Sequence, residues 1–173
     1  MSKASKTTKA SIVSSSHLSE RSTELSEFEY ALIMAENTFS RWLVHCMTAA
    51  GNEEMSPIDI LVIHNVYHRN RAKRIADICF MLNIDDTHTV SYSLRKLAKM
   101  GLVESKRVGK ETFYNATDAG EELCLKYRDV RSVCLVDWLE NLGISEDELS
   151  DVAKTLRTMS VLYDQAARAA ASL

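Results

Sequence analysis

The side chains best suited to chemistry in this sequence are cations near its middle. Between Arg69 and Lys110, ten Lys or Arg residues stand against four Asp or Glu residues, a local net charge of +6. The whole chain carries −3, so the residues outside this segment carry −9 in total. Ammonium and guanidinium groups bind phosphate oxygens through charge-assisted hydrogen bonds. The charge pattern therefore predicts a basic segment that binds duplex DNA, set within an acidic protein.

Part of this basic segment has the pattern of a helix with two different faces. Val90, Leu94 and Leu97 recur at helical spacing and are expected to face the core. On the opposite face, Arg95 has the fork of donors that fits guanine O6 and N7. An isolated helix with a basic outer face is more often a surface helix that is exposed to solvent and binds nothing. Here, however, a hairpin with three further cations follows. The predicted DNA contacts are Arg71, Arg74, Thr87, His88, Thr89, Ser91, Tyr92, Arg95, Lys99, Lys106, Arg107 and Lys110.

The remaining reactive side chains form no familiar catalytic or metal-binding motif. His64 and His68 are four residues apart, but no acidic or thiol partner stands at a diagnostic spacing. The sequence contains no Ser-His-Asp pattern, Gly-rich phosphate loop or HExxH motif. We therefore predict no enzyme activity, no metal site and no cofactor. Four cysteines without a CxxC pair are expected to be small buried residues, reduced in a cytosol, at Cys46, Cys79, Cys124 and Cys134.

Apolar periodicity and capping residues predict the helices that position the basic segment. Ser56 followed by Pro57 is typical of a helix start, and either Asp85 or Asp86 can cap a later helix. Gly101 is a natural helix end. The predicted helices before that point cover residues 25–50, 56–68, 71–82 and 87–100.

A change to extended character follows Gly101. Residues 105–108 and 111–115 flank the dipeptide Gly109-Lys110 and predict a short β-hairpin, the wing. Beyond the wing, Thr117 is expected to cap a long helix. Ser145 and Glu148 form a capping box for a terminal helix. The predicted fold class is therefore mostly α with a small β-hairpin wing, a winged helix-turn-helix lobe flanked by long helices.

The two ends of the chain carry little further signal. The first 23 residues hold eight Ser, three Thr and three Lys, but no apolar run that could form the core of a signal peptide. We predict a flexible tail there. No later window is apolar enough for a membrane span, and a cytoplasmic protein is expected.

Four segments from Ser56 onward match one known pattern. SPIDILVIHNV and RIADICFML are followed by THTVSYSLRKLAKMGLVE and ATDAGEEL. Within them, LxKxGLV and T-x-x-G are moderately specific together. With these segments the chain resembles the MarR family of winged-helix regulators. In that family they are the second helix, the third helix, the recognition helix with the first wing strand, and the junction into the first C-terminal helix.

The resemblance implies a homodimeric transcription regulator, a repressor. In the family, the first helix and the last two helices of each chain interleave with those of the partner. Two winged lobes then read a pseudo-palindromic operator with half-sites roughly 34 to 36 Å apart. The implied domains are a flexible tail (1–23), an N-terminal dimerisation helix (24–55), a winged DNA-binding lobe (56–116) and C-terminal dimerisation helices (117–173).

The resemblance also implies a ligand. Family members often bind a small aromatic or phenolic anion between the dimerisation helices and the winged lobe, which weakens DNA binding. The side chains that would line this cleft also fit ordinary core packing, and both readings stay open. They are Trp42, His45, Cys46, His64, Tyr67 and His68.

A winged helix can also serve as a protein-docking or dimerisation module without specific DNA binding. This alternative belongs to a different functional class. The local charge of +6 favours DNA, because a docking module has no general need for ten cations around a recognition helix and wing.

Overall fold

The computed structural model describes residues 21–173, apart from the side chains of residues 70 and 140. Almost all of the predicted tail, residues 1–23, lies outside the described residues. The chain divides into two compact units, one that ends at Tyr127 and one that covers Arg128–Leu173. In the described residues, no helix is both long enough and apolar enough to cross a membrane.

The predicted fold class is confirmed, since helices surround one antiparallel two-stranded hairpin. Short helical turns join several of the main elements. These turns are a 3-10 turn at His68–Asn70, a π segment at Ser132–Val136 and a second 3-10 turn at Glu140–Leu142. The main elements are α1 (Thr23–Ala49), α2 (Pro57–Tyr67), α3 (Ile75–Leu82), α4 (Thr87–Lys99), β1 (Val103–Val108), β2 (Glu111–Ala116), α5 (Asp118–Arg131), α6 (Asp137–Leu139) and α7 (Glu146–Ala170).

The core of the first unit is built from apolar side chains of α1 to α4. Complete burial of a large aliphatic side chain stabilises the fold by about 1.5–3 kcal/mol. This core therefore fixes α4 against the helices that precede it. Its fully buried aliphatic members include Met47, Ile60, Ile63, Ile78, Val90, Leu94 and Leu97.

Local capping explains where the helices begin. The Ser56 hydroxyl accepts a hydrogen bond from the Asp59 backbone at the start of α2, and Asp59 accepts one from the Ser56 backbone in return. At the start of α4, the Asp86 carboxylate accepts a hydrogen bond from the His88 backbone at 2.9 Å. Of the two predicted caps, Asp86 is the one that the structure uses.

The wing is a regular antiparallel hairpin. Val103 pairs with Ala116, and Val108 pairs with Glu111 at the other end. Gly109 occupies the turn with φ of 64°, a conformation that favours glycine. The predicted hairpin is therefore confirmed, with each strand slightly longer than expected.

The start of α3 differs from the prediction. The helix begins at Ile75, four residues after the predicted Arg71. The reason is a third extended segment, because the Lys73 amide donates to the Tyr114 carbonyl at 3.0 Å and the Tyr114 amide donates to the Lys73 carbonyl at 2.8 Å. Backbone groups that pair with the wing are not available for a first helical turn.

The junction between the wing and α5 is tightly packed around Gly120. The Thr117 hydroxyl donates to the Gly101 carbonyl at 2.7 Å and accepts from the Gly120 amide at 3.2 Å, so Thr117 caps α5 as predicted. A Cβ atom at position 120 would collide with the carbonyl oxygen of Leu102. Glycine is therefore required where the helix meets the chain entering β1.

The second unit has a different character. The capping box of Ser145 and Glu148 opens α7 as predicted. No residue of α7 is buried, and Trp138 is 66% exposed. Cys134 is also exposed, which corrects the expectation that all four cysteines are buried. Its helix places it on a surface of this unit that the unit itself does not cover.

Candidate nucleic-acid interface

Helix α4 has the two faces expected of a recognition helix. Val90, Leu94 and Leu97 are each at most 1% exposed, which confirms the predicted inward face. On the outward face, Tyr92 is 67% exposed, and the predicted contact residue Ser91 is half-buried. The helix is thus anchored by its apolar side and presents a polar side to solvent.

The outward face of α4 lines a surface recess of about 670 Å³. Arg95 and Lys99 line this recess together with Tyr92. Arg95 Nε donates to the Ser91 carbonyl at 3.3 Å, which directs the side chain along the helix. Its two terminal amino groups have no partner among the described residues, so they are available for bidentate hydrogen bonds.

The polar residues in the first turn of α4 have two different roles. Thr89 Oγ1 donates to the Asp86 carboxylate at 2.8 Å, so Thr89 is already part of the cap. Thr87 and His88 are exposed. Unpaired amides at a helix N-terminus carry partial positive charge and suit a phosphate. The Asp86 carboxylate opposes this charge locally, since hydrogen bonds from Thr89 and the His88 backbone hold its pKa below the ordinary value.

A buried ion pair that was not predicted fixes α4 to α2. Asp59 is 2% exposed and accepts hydrogen bonds from Ser93 Oγ and from Lys96 Nζ, both at 2.7 Å. The Lys96 ammonium also donates to the Glu54 carbonyl. Three side chains of two helices are therefore held in one arrangement beneath the exposed face.

The electrostatics of Asp59 favour its charged form. Burial alone would raise the pKa of this carboxyl group, but hydrogen bonds from Lys96, Ser56 and Ser93 together lower it below the ordinary value of 3.8. The carboxylate is therefore ionised at neutral pH and holds the ammonium group of Lys96, a residue that also lines the recess. Helical spacing places Lys96, two residues after Leu94, on the polar side of α4. The sequence near Asp59 gives no signal that this carboxylate is the partner of Lys96.

The wing carries the predicted cations on exposed positions. Lys106, Arg107 and Lys110 are all exposed. Arg107 Nε donates to the Gly109 carbonyl at 3.3 Å, which folds the side chain over the turn. No ion pair within the described residues neutralises these three cations.

The two predicted cations before α3 differ in their partners. Arg74 forms ion pairs with Asp77 at 2.9 Å and with Glu111 of the wing at 2.7 Å. The Arg74 guanidinium lowers the pKa of Asp77 to about 2, mainly through the hydrogen bond that it donates. Arg74 thus already ties α3 to the wing, whereas Arg71 is exposed and unpaired among the described residues.

The residues predicted to line a ligand cleft are only partly brought together. His64 and Tyr127 rings meet edge to face with centroids 4.5 Å apart, and Cys46 Sγ donates to the Tyr127 carbonyl at 3.6 Å. Tyr67 donates its hydroxyl hydrogen to Glu121 at 3.1 Å. Trp42 is half-buried on α1.

His45 and His68 stand apart from this group. His45 is exposed, although it is adjacent to buried Cys46 in sequence. His68 lies in the 3-10 turn and lines a cavity formed with α3. Burial lowers the pKa of His64, and its Nε2 atom is buried without a partner among the described residues. These placements leave the ligand residues a prediction.

The cysteines have the environment of structural residues in three of four cases. Cys46, Cys79 and Cys124 are buried, and burial raises the pKa of Cys124 to about 12. A thiol of this kind is a poor nucleophile at neutral pH. Over residues 21–173, no group of three His, Cys, Asp or Glu side chains is arranged to hold a metal ion.

The sequence comparison identifies the class of domain. The family described as "Winged helix DNA-binding domain" matches residues 55–120, which extend from just before α2 into the first turn of α5. Residues 55–120 are therefore similar to winged helix DNA-binding domains, and the exposed face of α4 lies within this segment. No curated protein matches the chain in sequence.

The comparison with solved structures identifies the fold of the chain. A MarR family regulator from Neisseria meningitidis is similar with a TM-score of 0.65 at 13% identity, over 82% of this chain and 94% of that chain. A cysteine-to-serine variant of MarR from Escherichia coli, complexed with operator DNA, gives 0.64 at 14% identity, over 79% and 95%. The transcriptional repressor CouR, bound to p-coumaroyl-CoA, gives 0.61 at 19% identity, over 76% and 90%. The chain has the fold of MarR-family regulators, as the sequence resemblance predicted.

Proposed function

We propose that this protein is a transcription regulator that binds duplex DNA through α4 and the wing. The observation that carries the proposal is the exposed polar face of α4 within the winged helix domain, with the unpaired end of Arg95 at its centre. Duplex DNA admits an α-helix into its major groove, where base edges present distinct patterns of donors and acceptors. A helix held rigidly from behind can read such a pattern with little loss of side-chain freedom.

The remaining cations have a second role in this proposal. Arg71 and the wing residues Lys106, Arg107 and Lys110 hold phosphates and carry no sequence information. Thr87, His88, Ser91 and Lys99 mix base and phosphate contacts, and Tyr92 adds its exposed ring. Arg74 and Thr89 stay on the predicted interface, although each already has a partner within the chain.

The proposed regulator is a homodimer. Helix α1 exposes the large apolar residues Ile33, Met34 and Phe39, each at least 52% exposed. Helix α7 exposes Val152 and Leu149, which are 57% and 40% exposed. Contiguous apolar surface on long helices is typical of a subunit interface. Two winged lobes related by a two-fold axis would read an inverted repeat.

We further propose that the protein acts as a repressor that a small organic anion can release. Two similar structures support this, because one is a MarR variant with operator DNA and the other is a repressor with an acyl-CoA. The buried, partnerless Nε2 of His64 is a further support, since buried polar atoms usually have a hydrogen-bond partner. Operator release by an anion, lost on His64→Phe, is the expected behaviour.

The first test is selection from random duplex DNA by the purified protein, followed by titration of the winning sequence at two salt concentrations. We expect an inverted repeat and an affinity that falls steeply with salt, because each neutralised phosphate releases counterions. Scrambled DNA of the same length is the control. A folded dimer that enriches no sequence would contradict the proposal and favour a protein-docking module.

A further inference from the structure

A cavity of about 340 Å³ lies where α2 ends, away from the recess on α4. Its walls come from the end of α2, the loop over residues 68–74 and helix α3. We call it the loop cavity. Its volume is within the range of small-molecule sites. The side chains that matter below are Asn65, Arg69, Arg71, Lys73, Phe80 and Met81.

The loop around this cavity is held in one shape by Lys73. Its ammonium group donates to the carbonyl oxygens of Val66 at 3.2 Å, His68 at 2.7 Å and Arg71 at 3.4 Å. These three bonds use all three donors of the ammonium group. Arg69 adopts φ of 63°, which is rare for a residue with a side chain. The loop is therefore preorganised, and its two arginine side chains remain free to bind.

The charge in the loop cavity is unbalanced. Arg69 and Arg71 have no ion pair or hydrogen bond from their side chains among the described residues, and both are exposed. The only carboxylate of the lining, Asp77, is already paired with Arg74. Burial lowers the pKa of Lys73, and the charges of Arg71 and Arg69 lower it further. Three cations in one small site favour a ligand with two negative charges.

The other walls favour a ligand that is more than a bare anion. Phe80 is 85% exposed and Met81 is 59% exposed, although both are large apolar side chains on α3. Asn65 Oδ1 is buried and has no hydrogen-bond partner in the described part of the chain. A buried acceptor without a partner is unfavourable until a donor reaches it.

We infer that the loop cavity binds a small phosphate monoester with a flat or apolar body that carries a hydrogen-bond donor. The dianionic phosphate binds between Arg69 and Arg71, whose guanidinium groups fit phosphate oxygens in pairs. The body stacks on Phe80, and its donor reaches Asn65 Oδ1. The inference goes beyond the proposed function and does not depend on it.

The test is isothermal titration calorimetry of the full chain, without DNA and in a buffer free of phosphate and sulfate. Three probes separate the parts of the ligand: adenosine monophosphate, inorganic phosphate and adenosine. We expect adenosine monophosphate to bind at least about tenfold more tightly than either fragment, since it alone satisfies both the cations and the apolar wall.

Two variants assign the binding to this cavity. Arg71→Gln should weaken adenosine monophosphate about tenfold or more, because a charge-assisted pair of hydrogen bonds is lost. Phe80→Ala should weaken adenosine monophosphate at least about fivefold but leave inorganic phosphate unchanged, since only the stacking contact is removed. Arg168→Gln, which removes an exposed cation on α7, is the matched control and should change neither affinity.

Three outcomes would overturn the inference. The first is no heat of binding with adenosine monophosphate in a folded wild-type protein. The second is binding that Arg71→Gln and Phe80→Ala leave unchanged, which would place the nucleotide elsewhere. The third is inorganic phosphate that binds as tightly as adenosine monophosphate, which would make the cavity a site for a bare anion. Because the titration contains no DNA, its failure is separate from failure of the proposed function.

Discussion

The winged lobe and the C-terminal unit use apolar side chains in opposite ways. In the lobe, Ile60, Ile63 and Leu97 are fully buried by helices of the same chain. In the C-terminal unit, α7 runs for 25 residues without a buried side chain, and Val152 is 57% exposed. The lobe completes its own core, whereas the apolar side of α7 lacks a cover within its own unit. The difference teaches that apolar periodicity alone does not determine which helical side chains a folded unit buries.

The variant with the largest expected effect introduces charges on the apolar side of α7. Replacing both Val152 and Leu156 with Asp should abolish the proposed homodimer, because two carboxylates would have to be buried in an apolar interface. Analytical ultracentrifugation should find a monomer, and DNA affinity should fall roughly hundredfold or more. The lobe should keep its helical circular dichroism.

The matched control places the same charges on the other side of α7. Ser150→Asp combined with Thr158→Asp adds two carboxylates at exposed positions of this helix. This variant should remain a dimer and bind DNA normally. If the control dissociated as well, net charge and not the apolar side would govern assembly, and the comparison would fail.

A second test acts on the lobe alone. Asp59→Ala should lower the free energy of unfolding by about 2–4 kcal/mol, because it strands the Lys96 ammonium and the Ser93 hydroxyl without their acceptor. Urea denaturation measures this change. Glu122→Ala removes an exposed ion pair with Lys126 instead and should cost much less. Equal losses would mean that burial of the Asp59 pair contributes nothing.

A third test separates base reading from phosphate binding within the lobe. Arg95→Ala should weaken the selected operator by about 1–3 kcal/mol and leave scrambled DNA almost unchanged. Arg107→Ala should weaken all sequences alike and reduce the salt slope by about one. Filter binding at two salt concentrations measures both quantities. Should Arg95→Ala lose equal affinity for operator and scrambled DNA, the reading face is misplaced.

The smallest expected effect is a pH dependence of stability in the lobe. Burial lowers the pKa of His64 in the folded chain below its ordinary value of 6.5. The unfolded chain therefore binds more protons below pH 6.5, and stability should fall as the pH drops from 6.5 toward the folded pKa. Urea midpoints between pH 8 and pH 5 follow this loss. His64→Phe should flatten the profile, and an unchanged slope would assign the effect to other groups.

The features of the fold that depend on local interactions could be predicted from the sequence. Ser56, Asp86 and Ser145 each cap a helix through bonds to residues two or three positions later, so short motifs reveal them. The hairpin could also be predicted, because the turn at Gly109-Lys110 and its two strands are contiguous in the sequence. The inward face of α4 followed from helical periodicity alone.

Features that depend on contacts between residues far apart in the chain could not be predicted from the sequence. The first turn of α3 is replaced by a backbone pairing between Lys73 and Tyr114, which are far apart in the chain. The contact between Asp59 and Lys96 spans 37 positions and has no local signature. Cys134 lies in an apolar stretch whose sequence resembles a core helix. It is nevertheless exposed, because burial depends on which other elements pack against that stretch.

Gly120 gives the T-x-x-G motif a mechanical meaning. The motif joins a hydroxyl that closes the end of α4 through Gly101 with a residue that must lack a side chain. Because glycine has no side chain, the motif allows the start of the wing and α5 to approach each other closely. Any residue with a Cβ atom would push these two segments apart, so the motif can identify the same junction in a chain whose remaining sequence has diverged beyond recognition.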